Sequence, residues 1–376
     1  MKKKIIFIIE SFIVGGAEKM LIDIVNHLDS DLYDITVCSI YKYSVYPNYE
    51  RYFDKPFKEH IHYKYVINNH KHLCYRLSSY LLNRFPSLFY KIMIGDQYDT
   101  VIAFYEGQPT HLVGSANIKG KKIAWLHTLT EYSQKNKTDE SLINEKYIYQ
   151  AFDQIVAVSQ AVLDSFQKTF NIPDIKTTVI YNSVDIAAIN QRALEKITLP
   201  VQNEHPVFIS VGRIIQVKGY DRIIRVASLL KKAGFSFSWW ILGGGSDYEV
   251  EKLKTAIQNY NLQNNIILLG HISNPYTYMR HADCYVSASY IEGLSISLLD
   301  AMALHLPIIA SDIPSNREAL SQQQDVNGIL FSNDMEFLNL LKETCEKMKN
   351  ETPITRTNLD ERFYKQKQLE YLYKIL

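Results

Sequence analysis

The sequence predicts an α/β protein of two doubly wound, parallel-sheet domains whose ligand-binding ends face a shared cleft. Three observations predict it. Short apolar runs alternate with amphipathic helical stretches through the first half of the chain. The rhythm lapses between Asn182 and Pro206, where Asn, Pro and charge replace strand signals. It then restarts and continues almost to the end. Such alternation is what a parallel sheet covered by helices on both faces requires.

The elements follow in order. IIFII (5–9) is the first buried strand, and a helix runs from about Ala17 to Leu28. ITVCSI (35–40) is the second strand, followed by a long irregular piece. TVIAF (100–104), KIAWL (122–126), QIVAV (154–158) and TTVIY (177–181) recur with helical segments between them. After the interdomain linker come VFISVG (207–212), a helix over Tyr220–Ala233, and SFSWWIL (236–242), which ends on Gly243, Gly244 and Gly245. A helix over Tyr248–Tyr260 precedes NIILLG (265–270), DCYVSAS (283–289), PIIAS (307–311) and GILF (328–331). A last helix, about Glu361 to Ile375, has no strand after it. The expected domains are Rossmann-like, 1–185 and 186–360, with the helix of 361–376 returning to the first.

Composition narrows the function classes. A chain of 376 residues exceeds one ordinary domain and suits two. With 47% apolar and 22% charged residues it reads as an ordinary globular protein. A net charge of +1 supplies no field for nucleic acid, which is not expected as a partner. Cys38, Cys74, Cys284 and Cys345 are scattered, without CxxC spacing, and read as unpaired thiols. MKKKIIFII resembles a signal peptide, but its apolar run stops at Glu10, so a buried strand is the better reading. No apolar run approaches the ~20 residues that span a bilayer. The expectation is a cytoplasmic protein, or one attached to the inner face of the cell membrane.

Two stretches carry most of the chemistry. In VGRIIQVKGYD (211–221), Arg213 and Lys218 follow a strand end and precede a helix opening at Gly219. Two cations beside a helix N-terminus suit a phosphate group. Two solvated cations at a turn would read the same way. In SYIEGLSISLLDAMA (289–303), Glu292 lies in a loop and Asp300 in a mostly apolar helix. Carboxylates accept hydrogen bonds from vicinal hydroxyls, and an idle one in a buried helix is costly. A pyrophosphate flanked by polyols, as in a nucleoside-diphosphate sugar, presents both chemistries.

Weaker signals surround these. Gly15 and Gly16 precede the first helix and offer backbone N–H groups to an anion, though a tight turn explains them equally. His127 ends KIAWLH at a strand C-terminus, where it can bind a substrate hydroxyl, act as a base, or be structural. Ser159 and Asn182 also follow strands and can equally be cap or turn residues. Asp29-Ser30-Asp31 has a metal-binding spacing but reads as a turn, and no other cluster has ligand spacing. From His60 to Gly95 there is no Asp or Glu, and Leu73, Leu77, Tyr80, Leu81 and Arg84 fall at helical spacing. Such a basic, aromatic helix suits an anionic membrane surface, or its own domain.

Several segments together carry a family likeness: GGAEK (15–19), VSQAV (158–162), IYNSVD (180–185), VGRIIQVKG (211–219), ILGGGSDYE (241–249), LLGHIS (268–273) and ASYIEGLSISLLDAMALHLPIIASDIPSNREAL (288–320). The chain resembles retaining glycosyltransferases of the GT-B fold, glycosyltransferase family 4, the glycosyl transferases group 1. The resemblance implies that Arg213 and Lys218 neutralise the donor pyrophosphate, Glu292 contacts the transferred sugar and Asp300 binds the nucleoside ribose. It implies that Gly15 and Gly16 lie near the donor phosphates and His127 on the acceptor side. On the matched segments Gly243, Gly244, Gly293, Leu294 and Ser295 join the donor contacts, with His271, Ile272 and Glu318 as further candidates. One departure stands out: the family's second motif glutamate is Asp300 here, shorter by a methylene.

What the resemblance implies is transfer of a hexose or N-acetylhexosamine from a nucleotide sugar, UDP-linked by preference, to a glycan or lipid-linked saccharide in surface-polysaccharide synthesis. Retention by front-face attack, with no metal cofactor and no dedicated base, is the expected mechanism. A GT-B nucleotide-sugar epimerase and a catalytically idle nucleotide-sugar-binding partner are the alternatives.

Overall fold

A computed structural model describes residues 1–12, 15–42, 57–68, 72–135, 137–200, 206–320, 328–352 and 355–376, with side chains omitted over 72–75. The chain divides into two compact units, one of Met1–Asn182 with Gln368–Leu376 and the other of Ser183–Lys367.

The first unit holds seven parallel strands: β1 (Lys3–Ile9), β2 (Tyr33–Tyr41), β3 (Ile61–Ile67), β4 (Thr100–Ala103), β5 (Lys121–Leu126), β6 (Gln154–Ala157) and β7 (Lys176–Val179). Their order is β3-β2-β1-β4-β5-β6-β7. Ile5 to Ile8 of β1 are completely buried, as a central strand covered on both faces demands. The expected set lacks β3, IHYKYVI, which pairs Ile35 with Ile61 at the sheet edge. Only Ile61 and Ile67 of β3 are buried, so it carries no continuous apolar run. The chain's end belongs to this unit. Lys121 Nζ donates to the Ile375 carbonyl at 2.7 Å, Lys3 Nζ donates to the Leu376 carbonyl, and Tyr373 stacks on Tyr33.

The second unit holds β8 (Val207–Val211), β9 (Ser238–Leu242), β10 (Ile266–Gly270), β11 (Cys284–Ser287), β12 (Ile308–Ser311) and β13 (Ile329–Phe331). All are parallel, in the order β10-β9-β8-β11-β12-β13. Trp239, Phe208 and Phe237 fill one side of the sheet under the helix Tyr220–Lys232.

The stretch read as a linker is partly helical. Ile186–Ala193 forms a helix whose N-cap Asp185 accepts the Ala188 N–H at 3.0 Å. Arg192 donates to the Ser273 carbonyl at 2.8 Å and fastens that helix to the second unit. Strand signals alone pass over so short a helix; residues 201–205 of the stretch lie outside the described residues. The last helix also differs: a 3-10 turn over Glu361–Phe363 precedes a helix over Lys365–Ile375.

Both sheets reverse strand order beside their first strand. In the first unit β1 has β2 on one side and β4 on the other; in the second, β8 lies between β9 and β11. Ligands of open α/β sheets bind beyond the strand C-termini at such reversals.

Candidate active site

In the second unit the reversal brings the two informative stretches together. β8 delivers Gly212 and Arg213, and β11 delivers the loop 288–295. Backbone crowding dictates the glycines. Gly219 has φ +68°, and a Cβ there would lie 2.0 Å from the Ala288 carbonyl oxygen. A Cβ on Gly243 would lie 1.9 Å from the Gly212 carbonyl oxygen. The Ile214 N–H donates to the Gly244 carbonyl at 2.7 Å, so the β8 and β9 loops interlock.

A 3-10 turn over Gln216–Lys218 precedes the helix Tyr220–Lys232, whose N-cap is Gly219. Lys218 therefore ends the turn before the helix, and its Nζ stands 2.5 Å from Glu292 Oε1. Ser289 Oγ donates to the same oxygen at 2.7 Å. The two side chains are 20% and 13% exposed, too enclosed for a freely solvated pair. Expected as separate contacts, one for phosphate and one for sugar, Lys218 and Glu292 here bind each other. Arg213 is half-buried, and among the described residues its guanidinium has no ion-pair or hydrogen-bonding partner.

Asp300 is buried at 4% exposure in the helix Ile296–Ala303, whose N-cap Ser295 accepts the Leu298 N–H. Tyr285, on β11, feels both carboxylates: burial, and then the charges of Glu292 and Asp300, push its phenol up. Its hydroxyl meets Ser297 Oγ at 2.8 Å. Tyr220 is enclosed similarly and donates to the Gly212 carbonyl at 2.7 Å. Neither tyrosine nor Ser289 was a candidate from sequence, because their place depends on β8 lying beside β11. Of the remaining candidates, Leu294 is buried, and His271 is exposed beside Gly244. Ile272 and Glu318 are half-buried; the Glu318 carbonyl accepts from Arg362. Gly293 lies in the loop between Glu292 and Leu294.

In the first unit Gly15 is the N-cap of the helix Gly16–His27. A Cβ on Gly15 would lie 2.3 Å from Glu18 Oε2. The helix N-terminus expected to face an incoming anion thus has its own carboxylate folded against it. Ile13 and Val14, just before it, lie outside the described residues. His127 follows β5 and is buried, its ring 4.8 Å from that of Phe104 and 5.6 Å from that of Tyr105. Burial pushes its pKa down to about 3, so the imidazole is neutral at physiological pH. Its Nε2 is enclosed without a partner among the described residues. A neutral imidazole of this kind suits hydrogen bonding better than proton abstraction. Ser159 caps the helix Gln160–Phe170, accepting the Val162 N–H at 3.1 Å, the plainer of its two readings. Asn182 is buried at the end of the unit.

Asp29 Oδ1 accepts the Asp31 N–H at 2.8 Å, a turn as its sequence suggested. Among the described residues no group of His, Cys, Asp or Glu could hold a metal ion. Nor, among them, is any helix long and apolar enough to cross a membrane.

The helices His72–Arg84 and Pro86–Met93 carry an unusual surface. Leu77, Tyr80, Phe85, Leu88 and Ile92 are exposed, with Arg76, Arg84 and Lys91 among them. Residues 69–71 and the side chain of Leu73, in the same stretch, lie outside the described residues.

Comparison with known proteins gives this geometry a context. Residues 14–188 match the model of Glycosyltransferase Family 4, and residues 191–366 match that of Glycosyl transferases group 1. One similar protein is the N-acetylgalactosamine-N,N'-diacetylbacillosaminyl-diphospho-undecaprenol 4-alpha-N-acetylgalactosaminyltransferase of Campylobacter jejuni, 30% identical over 52% of this chain and 52% of that one. Another is the O-antigen chain mannosyltransferase RfbU of Salmonella typhimurium, 28% identical over 48% of this chain and 46% of that one. Each match spans about half of the relative's length. The crystal structure of Anabaena HepE in complex with UDP and glucose superposes with a TM-score of 0.73, covering 99% of both chains at 18% identity. The fold is therefore GT-B. With one family model on each half, together running from residue 14 to residue 366, the chain belongs to the GT-B glycosyltransferases of family 4, the glycosyl transferases group 1.

Proposed function

We propose that this chain moves a hexosyl or N-acetylhexosaminyl group from a UDP-sugar to a saccharide or lipid-linked saccharide during surface-polysaccharide assembly. The observation that carries the reading is the enclosed Lys218–Glu292 pair at the β8/β11 reversal, with Arg213 two residues past the end of β8. Breaking the sugar–phosphate bond leaves negative charge on a diphosphate. A half-buried guanidinium and ammonium already in place stabilise that charge without reorganisation. Lys218 exchanges part of its contact with Glu292 for the phosphate. The released Glu292 oxygen then accepts from a hydroxyl of the transferred sugar, so donor binding and sugar orientation are coupled through one ion pair. Asp300, in the same loop-and-helix segment, holds the ribose from closer in than a glutamate would. UDP in the HepE complex supports the choice of nucleotide, and the lipid diphosphate in the Campylobacter relative's name supports the acceptor class.

The mechanism retains anomeric configuration by front-face attack. The leaving phosphate takes the acceptor proton, and neutral His127 hydrogen-bonds on the acceptor side. The two cations perform the role that a metal plays in other phosphoryl leaving groups, so chelators leave the rate unchanged. The test is incubation with UDP-hexoses and UDP-N-acetylhexosamines, followed by NMR of the product anomeric proton. Sugar transfer with an α linkage from an α donor is expected. Isomerisation of the free donor without transfer, or an inverted linkage, refutes the corresponding part of the reading.

The exposed apolar and basic face of residues 76–93 supports work at the inner face of the cell membrane. Arginines and Lys91 would pair with anionic headgroups while the apolar side chains enter the interface. Liposome flotation is expected to require anionic lipid, and absence of binding at every lipid composition removes the claim.

A further inference from the structure

Glu106 plays no part in the reading above and was not a candidate from sequence. It follows β4, at the reversal between β1 and β4 of the first unit. Strand β5 outruns β4: the last pair between them is Ala103 with Ala124, while β5 continues to Leu126. The backbone N–H groups of His127 and Thr128 lie past the end of β5 and outside its strand pairing. Glu106 Oε1 accepts both, at 2.7 Å each, and accepts the Thr128 hydroxyl at 3.0 Å. One carboxylate oxygen thus closes the turn that starts at His127. Among the described residues the imidazole has no partner at Nε2 to aim it, and it is held by ring packing and the backbone beneath it. Glu106 Oε2 is sealed from solvent without a partner among the described residues. Holding a carboxyl there is expensive, and a side chain serving packing alone would avoid it.

We propose that Glu106 is the positioning residue of the acceptor side, its carboxylate clamping the His127–Thr128 turn so that the imidazole keeps one direction. The clamp rests on the transferase reading for its purpose but not for its detection. Two readouts separate them: amide hydrogen exchange at 127–128, and UDP release from UDP-N-acetylglucosamine to water or an octyl glycoside. Glu106→Ala is expected to speed exchange at His127 and Thr128 at least tenfold. It should lower kcat at least tenfold while KM for the UDP-sugar changes less than twofold. Glu106→Gln, whose amide oxygen can replace Oε1, is expected to restore slow exchange and at least a third of kcat. In a His127→Ala background, adding Glu106→Ala should cost less than a further threefold, because the two act as one unit.

Unchanged exchange and kcat in Glu106→Ala overturn the inference, as do independent, multiplying losses with His127→Ala. Should Glu106→Ala not fold, Glu106→Gln decides: a kcat loss above tenfold with normal exchange means the carboxylate acts chemically, and the positioning role is wrong. A wild-type protein that releases no UDP counts against the transferase reading, and the exchange arm still decides the clamp.

Discussion

Replacing Lys218 by alanine removes an ammonium 2.5 Å from Glu292 Oε1 and leaves that carboxylate with the Ser289 hydroxyl. The magnitude follows from the enclosure of the pair. Hydrogen bonds to charged groups contribute about 1.5–3 kcal/mol when buried, and fully exposed ion pairs about 0–1 kcal/mol. At 20% and 13% exposure this pair lies between, so Lys218→Ala should cost about 1–2 kcal/mol of stability. In a domain of this size that lowers the melting temperature by about 3–6 °C. The cost to turnover is larger, because a preorganised charge stabiliser contributes about 2.7–4 kcal/mol at the transition state, or 10²–10³ in kcat. The two effects separate in a double-mutant cycle. Glu292→Gln alone leaves Lys218 half-enclosed and unpaired, whereas Lys218→Ala with Glu292→Gln removes both charges. The double variant should regain stability to within about 1 kcal/mol of wild type, yet stay as inactive as Lys218→Ala. Calorimetry measures the first quantity and UDP release the second. A double variant destabilised by the full sum of the singles would show that the pair does not couple. Lys218→Ala turning over within threefold of wild type would remove it from the chemistry.

Other expectations follow from the same geometry. Arg213→Ala should lose about 10²–10³ in kcat with no change in melting temperature, since the guanidinium has no partner to strand among the described residues; a thermal-shift curve beside a turnover assay checks both halves. Gly219→Ala places a Cβ 2.0 Å from the Ala288 carbonyl at φ +68°, and should cost at least about 1–3 kcal/mol in urea unfolding; an unchanged midpoint contradicts the stated crowding. His127 is held neutral by burial, its pKa pushed down to about 3, so the folded state binds fewer protons than the unfolded one. Its contribution to stability is complete above the unfolded pKa of about 6.5 and falls by up to about 1.4 kcal/mol per pH unit on acidification from there towards about 3. Unfolding curves between pH 7 and pH 5 should therefore converge for wild type and His127→Gln as pH falls, and parallel curves refute the neutral imidazole.

What was legible in the sequence, and what was not, divides along a physical line. Strand cores announce themselves because a central parallel strand is buried on both faces; IIFII and VFISV could hardly be anything else. Residues just past those strands, Arg213 and His127 among them, follow at once, because open α/β sheets present ligands there. Edge strand β3 escapes because most of its residues are half-buried or exposed and its pattern has no apolar run. Lateral order escapes for a deeper reason. Chain order places β9 after β8, but the neighbour that completes the candidate site is β11, which brings Glu292 to Lys218 across seventy-four positions of sequence. No local pattern encodes that choice. The same limit hid Glu106, which reads as a polar turn residue after TVIAF until β4 is seen to stop short of β5. A carboxylate just past the shorter strand then has a calculable task, the N–H groups of the turn that follows its longer neighbour. Sequence reading could find such residues by comparing the lengths of adjacent strands, provided it first knew which strands are adjacent.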